Sequence, residues 1–389
     1  MKIEDLLDFG LNDQQRSMRQ LIRDFADAEI VPVVAQHEKD GTFPRQLVAR
    51  LAELGVLGAI IPTAYGGSGL DYVTYGVICE EVARADWVCA SVISVVNSLV
   101  ASAIISFGNP EQKQRYLPSL ARGATLASAC LTEPDVGSDL ANLRTSAVRV
   151  QNGYVLNGSK MFISHAQHAD VLLVLATIDR GLKHNGICAF LVEKETPGIR
   201  TNALRLQCLR RGDVCEVVFE DVHVPSGSLL GQEGQGFHII GAVLDTGRFS
   251  VASRCVGQAQ ACIEHSLNYA RNRVAFGQEI GRFQMVQQML ADMITRTHAA
   301  RMLVRQLGQA KDAGSSRLSL LASMAKMYAS DVCMQAATDA VQIHGGYGLT
   351  EEYPVGRFLV EAKVLQIGEG TNQIHRMLIA ENALGYRRG

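Results

Sequence analysis

The feature that most constrains the fold is a double change of hydrophobic period along the chain. From about Asp13 to Gly123 the apolar residues recur at helical spacing, with Asn12 or Asp13 as a helix cap and Pro32, Pro44, Pro62, Pro110 and Pro118 in the connections. Between roughly Ala124 and Phe237 they alternate or fall in β-branched runs: Ser146–Val150, Tyr154–Leu156, Val171–Ala176, Ile187–Val192 and Glu216–Phe219. Gly, Asn and Asp separate these runs, and Asn152-Gly153 and Asn157-Gly158 predict hairpin turns. From Ile239 to Ala383 helical periodicity returns, rich in Ala, Leu, Met and Gln. A helix buries a stripe and a strand buries alternate side chains, so one layer cannot hold both patterns. At 389 residues the chain also exceeds one typical core. The expectation is a mainly α protein with a central β domain. It comprises an N-terminal helical domain (1–123), a small antiparallel β-barrel or sandwich (124–238) and a C-terminal four-helix bundle (239–389).

Composition excludes several classes. With 37 Lys and Arg against 39 Asp and Glu, the formal charge of −2 gives no electrostatic reason to bind nucleic acid or an anionic membrane. The nine cysteines (79, 89, 130, 188, 208, 215, 255, 262 and 333) include no C-x-x-C and read as buried apolar residues in a reducing compartment. His165 and His168 lack a further ligand at metal spacing, so no metal is expected. The acidic start Met1-Lys2-Ile3-Glu4-Asp5-Leu6-Leu7-Asp8 has neither a signal-peptide core nor a basic transit segment, so a cytoplasmic location is expected, or the mitochondrial matrix if a transit peptide was removed. Trp87–Gly108 carries no charge and is long enough to span a bilayer. Ser91, Ser94, Ser98, Ser102 and Ser106 stripe one face of it, which predicts a buried helix lining a polar site rather than membrane insertion.

Three distant runs carry candidate chemistry. Ile367-Gly368-Glu369-Gly370-Thr371-Asn372-Gln373 sets one carboxylate between two glycines, just after a helical stretch. Glycines let the backbone approach a ligand and take conformations other residues avoid. Alone, the run also reads as a helix-breaking turn with a solvated Glu369. The companions are Cys130–Asp139, with Leu131-Thr132-Glu133-Pro134 and Gly137-Ser138, and Gln342-Ile343-His344-Gly345-Gly346-Tyr347-Gly348. Neither a G-x-G-x-x-G after a strand nor a G-x-x-x-x-G-K-[ST] occurs, so a Rossmann site or P-loop is not expected. In this order the three runs resemble the acyl-CoA dehydrogenase family, nearly end to end, and specifically its short- and medium-chain-like members.

The resemblance implies an FAD-dependent enzyme of fatty-, amino- or organic-acid catabolism that converts an acyl-CoA to the 2-enoyl-CoA. Glu369 would take the α proton, because the position at which isovaleryl- and long-chain members hold their base is Gly247 here. Leu131, Thr132, Gly137 and Ser138 are similar to the loop along the isoalloxazine ring, although Val136 departs from the small residue usual there. In Lys160-Met161-Phe162-Ile163-Ser164, Phe162 would pack on the flavin and Ser164 would hydrogen-bond it, while His165 replaces the usual Asn. Arg273, Phe276 and Gln284 match the family's R-x-x-F-G…Q element, and with Gln342, Gly345 and Gly346 they would hold the pyrophosphate of a neighbouring subunit's flavin. Thr371 and Gln373 would be further cofactor contacts. Asp245 and Arg248 match the D-x-x-R that contacts the CoA thioester, with Ser138 and Gly370 as further substrate contacts.

The implied partners are an acyl-CoA substrate, an electron-transfer flavoprotein as acceptor, and further copies of the chain in a homotetramer or dimer that shares flavin sites. Two alternatives keep the same fold: the same reaction on an acyl- or peptidyl-carrier-protein thioester, and a flavin oxidase. A DNA-binding relative is disfavoured by the absence of excess positive charge. Arg84-Ala85-Asp86 resembles the glutaryl-CoA dehydrogenases, in which an Arg follows to pair with the distal carboxylate; here Val88-Cys89-Ala90-Ser91 follows. Without that cation a second carboxylate would be desolvated unpaired, so neutral short, branched or cyclic acyl chains are expected.

Overall fold

The computed structural model describes residues 5–207, 209, 211, 214–315 and 318–386. Met1–Glu4 of the acidic start and Cys208 lie outside them. The contacts divide the chain into two compact units that interleave in sequence. One comprises Met1–Ala35, Asp71–Ala90 and Arg248–Gly389, and the other Gln36–Leu70 and Ser91–Gly247.

The second unit contains the sheet, built from β1 (Ala127–Cys130), β2 (Ser146–Val150), β3 (Gly153–Ser164), β4 (Val171–Thr177), β5 (Ile187–Glu193), β6 (Ile199–Ala203), β7 (Val214–Pro225) and β8 (Leu229–Leu230). The strand order is β6-β7-β3-β2-β4-β5-β8, with β1 also on β4. Pairing is antiparallel except at β1–β4 and β2–β4, which are parallel. β4 is therefore covered on its edges, and every one of its residues is buried, which is why Val171–Thr177 reads as a continuous apolar run. Leu156, Phe190, Val192, Val217 and Phe219 make the centre of this core.

Of the two expected hairpins, the one at Asn152-Gly153 forms: Val150 pairs with Gly153 across a two-residue loop. The one at Asn157-Gly158 does not. Both residues lie inside β3, where the register against β7 shifts between Leu156 and Gly158. Gly158 marks a bulge because Thr145 presses on the backbone there: an added Cβ would lie 2.6 Å from its Oγ1 and 2.7 Å from its Cα.

The first unit is helical. Its elements include Asp13–Phe25, capped by Asn12 in a capping box with Gln15, and Tyr72–Ala85, capped by Asp71. They also include most of Gly236–Asn272, then Gln284–Asp312, Leu318–His344, Val355–Ile367 and Asn372–Ala383. Buried ion pairs join elements far apart in sequence: Arg23–Glu81 at 2.9 Å, Arg84–Glu264 at 3.1 Å and Arg301–Glu80 at 2.8 Å. Within the uncharged helix Trp87–Phe107, 94% of its most apolar 18-residue window is buried. Ser91, Ser94, Ser98 and Ser102 are buried, but Ser106 is exposed. A π-helical segment, Val95–Ala101, interrupts the stripe; its Asn97 donates to the carbonyls of Val56 and Ile93, both at 3.0 Å. The eight described cysteines are free and buried.

The helix contact at Gly257 sets a sharp steric limit, since a Cβ there would lie 2.0 Å from the carbonyl oxygen of Glu80. Gly257→Ala is expected to lower stability by about 1–3 kcal/mol through this overpacking. The urea midpoint, followed by the fluorescence of Trp87, measures it; an unchanged midpoint would show that the helices can separate freely.

Candidate active site

Glu369 stands at a three-residue corner between two helices. The Val355–Ile367 helix ends at Gly368, and Thr371 caps the next helix with its side chain accepting from the Ile374 N–H at 3.3 Å. Between them Glu369 and Gly370 both have left-handed backbones, with φ of 55° and 98°. A non-glycine residue held there costs on the order of 1–3 kcal/mol and persists only where its surroundings fix it. The fixing group is Lys326 on the Leu318–His344 helix. Its ammonium donates to the carbonyl of Gly370 at 2.8 Å, to the carbonyl of Gln366 at 3.2 Å and to Asn372 Oδ1 at 3.0 Å. Asn372 in turn donates to Ser330 Oγ at 2.8 Å and Asp331 Oδ1 at 2.7 Å. Every proton of a fully buried ammonium is thus matched to an acceptor on the corner it braces. Lys326 and Asn372 were missed in the sequence, where the available signal was a single cation in the otherwise uncharged stretch Leu318–Ser330.

One carboxylate oxygen of Glu369, Oε2, is buried with no hydrogen-bond partner among the protein atoms, while the residue as a whole is half-buried. Burial pushes its pKa up to about 7, against the opposing pull of Arg254, Arg248 and Lys326. Arg248 also reaches the corner directly, its Nε lying 3.5 Å from the Glu369 carbonyl. Lys326 itself is lowered to about 8 by burial, with Arg248 acting in the same direction. His375, on the following helix, is lowered to about 3 by burial and by Arg248 and Lys326, so it stays neutral and weakly basic. Lys326 commits its three protons to fixed acceptors, so among these neighbours Glu369 is the group placed to take a proton near neutral pH. Gly370 stands on the same corner as Glu369, and Gln373 is exposed on the following helix. Asp245 is half-buried on the Gly236–Asn272 helix.

In the other unit, the loop holding Leu131, Thr132, Gly137 and Ser138 is braced by a buried ion pair. Lys160, fully buried on β3, donates to Glu133 at 2.8 Å and to the Leu131 carbonyl at 3.2 Å. Glu133 also accepts from the backbone N–H of Arg144 at 2.6 Å and of Thr145 at 2.9 Å. Burial works to raise the Glu133 carboxyl, but Lys160 and these donors outweigh it and leave it below its usual range. Glu133 and Val136 bridge each other through both backbone hydrogen bonds, and the Thr132 carbonyl accepts from Met161 at 2.8 Å. Val136 is accommodated by burial. Further along β3, Phe162 is 60% exposed with a left-handed φ of 61°, and His165 is left-handed at 44°. Ser164 is half-buried between them. The loop and the strand thus present exposed Gly137, Ser138 and Phe162 beside rigid backbone.

The helical unit also brings Arg273, Gly345 and Gly346 together around a cavity of about 450 Å³, with Tyr269, His344 and Tyr347 among its walls. The Arg273 guanidinium lies 5.6 Å from the Tyr347 ring centroid. A short hairpin, Val274–Ala275 with Gln278–Glu279, projects Phe276, which is 97% exposed and left-handed at φ 50°. Gln284 and Gln342 are exposed at the ends of their helices and are not among the residues lining the cavity.

This chain matches the acyl-CoA dehydrogenase N-terminal domain over residues 12–124, the middle domain over 128–222 and the C-terminal domain over 234–384. It is 42% identical over 376 residues to an acyl-CoA dehydrogenase of Bacillus subtilis, covering 96% of this chain and 99% of that one. Its fold is similar to butyryl-CoA dehydrogenase from Megasphaera elsdenii, with a TM-score of 0.93 and 38% identity over 97% of this chain and 100% of that one. It is equally similar to a chain of a structure described as the electron transferring flavoprotein of Acidaminococcus fermentans, at a TM-score of 0.94 and 39% identity over 97% and 99% of the two chains. The protein is a flavin-dependent oxidoreductase with FAD as its cofactor, and by sequence and by fold the chain belongs to the acyl-CoA dehydrogenase family.

Proposed function

We propose that Glu369 is the general base of this acyl-CoA dehydrogenase and removes the α proton of the bound thioester. The observation that carries the reading is a carboxylate with one buried, unpartnered oxygen, raised to about 7, on a left-handed corner that Lys326 braces. A base near neutrality is deprotonated in the free enzyme yet strong enough to take a weakly acidic C–H proton once the thioester carbonyl is polarised. The backbone N–H of Glu369 would be the protein's donor to that carbonyl, where fixed dipoles meet developing enolate charge. Arg248 and Asp245 would hold the thioester's pantetheine portion.

Two features of the chain fit FAD. In the sheet unit, Thr132, Ser138 and Ser164 would hydrogen-bond the flavin and Phe162 would cover it. In the helical unit, the Arg273 cavity joins a cation to the approachable backbones of Gly345 and Gly346 and to a buried, unpartnered His344 Nε2, a donor set suited to a phosphate. FAD supplies the acceptor for the β hydride, which no side chain can be. Phe276, Met285 and Leu349 are all strongly exposed apolar residues near this cavity in sequence, which supports a face covered by another copy in a dimer or tetramer. The similarity to the Acidaminococcus fermentans chain supports an electron-transfer flavoprotein as acceptor.

A panel of acyl-CoAs assayed with an artificial electron acceptor tests the reaction. Turnover of free acyl-CoAs favours this reading, whereas activity only on a carrier-bound thioester favours the carrier-protein alternative. Glu369→Gln is expected to cut kcat by at least about 10²–10⁴-fold while the flavin absorbance is retained, because the amide cannot accept the proton. Retention of a tenth of the activity would move the base elsewhere.

Because the raised carboxyl is protonated below about 7, kcat/KM is expected to fall as pH drops through about 7. A flat profile from pH 6 to 8 would contradict this. Lys326→Met should move that acidic limb upward, since it removes a cation that favours the carboxylate, and should also lower the thermal midpoint. An unmoved limb would remove Lys326 from the electrostatics of the base.

A further inference from the structure

Among the described residues three cations act on Glu369, and Arg254 is the one of them that the proposed reaction does not use. It lies on the Gly236–Asn272 helix and is only 4% exposed. Its guanidinium carbon lies over the Trp87 ring, 4.4 Å from the centroid, so the cation is held against an aromatic face. Neither Nε nor Nη2 has a hydrogen-bond partner among the protein atoms, and the same is true of the Trp87 indole Nε1. These atoms are donors only, and leaving such donors dry costs about 1–3 kcal/mol each, more when charged. Arg254 is also the strongest of the three cations drawing Glu369 toward its charged form. Three cations therefore act on one carboxylate, and the excess charge sits in an apolar setting of Tyr75, Cys79 and Cys255. A surface of another subunit does not reach a group buried this deeply within its own chain.

We propose that Arg254 is a specificity-determining residue that receives an anionic oxygen group on the acyl chain, so that the enzyme prefers ω-carboxyacyl thioesters to neutral ones. This rests on the dehydrogenase reading and deepens it. The expectation of neutral substrates considered only the segment Val88-Cys89-Ala90-Ser91; the fold supplies a cation from a different helix. A guanidinium already held over Trp87, with Nε and Nη2 unpartnered, can donate to a carboxylate with little further ordering. The chemistry at Glu369 is unchanged: the α proton goes to its carboxylate, and the distal carboxylate remains intact as an anchor.

The test compares kcat/KM for succinyl-, glutaryl- and adipyl-CoA with that for butyryl-, valeryl- and hexanoyl-CoA. It uses the flavin-loaded enzyme and an artificial electron acceptor, well above the acidic limb, so that titration of Glu369 does not intervene. The wild type is expected to favour at least one ω-carboxyacyl substrate over its neutral counterparts. Arg254→Gln should lower that value about tenfold to a hundredfold, chiefly through KM, as expected for loss of a charge-assisted hydrogen bond. On the neutral series it should move the acidic limb upward, because a cation acting on Glu369 is lost, while kcat/KM on the plateau above that limb stays within a few-fold. Preference of the wild type for every neutral substrate overturns the inference and leaves the dehydrogenase reading intact. An equal loss on both series in the variant also overturns it, making Arg254 a counter-charge to Glu369 alone. Should the variant fail to load flavin, the wild-type comparison decides. No turnover of either series overturns this inference and, with it, the reading that short free acyl-CoAs are the substrates.

Discussion

The bond from Lys326 to the Gly370 carbonyl is the interaction on which the arrangement around Glu369 depends. A left-handed glutamate is unfavourable by itself, and a buried lysine is unfavourable by itself. Each is tolerated because the other is present. The corner turns its carbonyls inward where the ammonium can use them, and the ammonium fixes the corner so that its carboxylate stays in an apolar environment. Asn372 extends this bracing to Ser330 and Asp331, so the position of Glu369 is set by two helices rather than by the loop alone.

The sheet unit solves a similar problem with a different pair. Lys160 and Glu133 are both buried, and the backbone donors of Arg144 and Thr145 complete the carboxylate's hydrogen bonds. A buried pair of this kind contributes little net stability, because desolvation consumes most of the attraction. Its effect is geometric: it ties the Leu131 carbonyl to β3 and so fixes the loop that carries Thr132 and Ser138. Both units therefore set buried lysines beneath backbone that must keep an unusual shape. In one case the tie is to a carboxylate, in the other to carbonyls, and only the second leaves its cation acting on a separate carboxylate, that of Glu369.

Arg254 departs from this pattern. Lys326 has an acceptor for each of its protons and Lys160 is tied to Glu133 and the Leu131 carbonyl, whereas Arg254 keeps two buried nitrogens without protein acceptors and is steadied by Trp87 instead. Stacking offsets part of the burial cost without using the hydrogen-bonding edge. That edge is available for chemistry brought in by a ligand, which is the physical basis for separating its role from that of the structural cations.

Much of the fold was legible in the chain. The switch from period 3.6 to period 2 and back located the sheet between helical segments, and Asn152-Gly153 marked a true hairpin, because these signals depend on local backbone preference and on which face is buried. Asn157-Gly158 misled for the same reason: the dipeptide favours a turn locally, but Thr145 packing against Gly158 and pairing to β7 keep it within a strand. The serine stripe was legible as buried, yet its spacing ignored the π-helical segment at Val95–Ala101, which follows from the contacts of Asn97. At the site, the sequence by itself determined that one carboxylate lies between two flexible residues after a helix, and that cofactor-like motifs accompany it. It did not determine the charge state of that carboxylate, the bracing by Lys326 or the placement of Arg254 near it. Those depend on burial and on distances between residues more than forty positions apart, and electrostatic energy is set by separation in space and by exclusion of water, neither of which is a property of the sequence order.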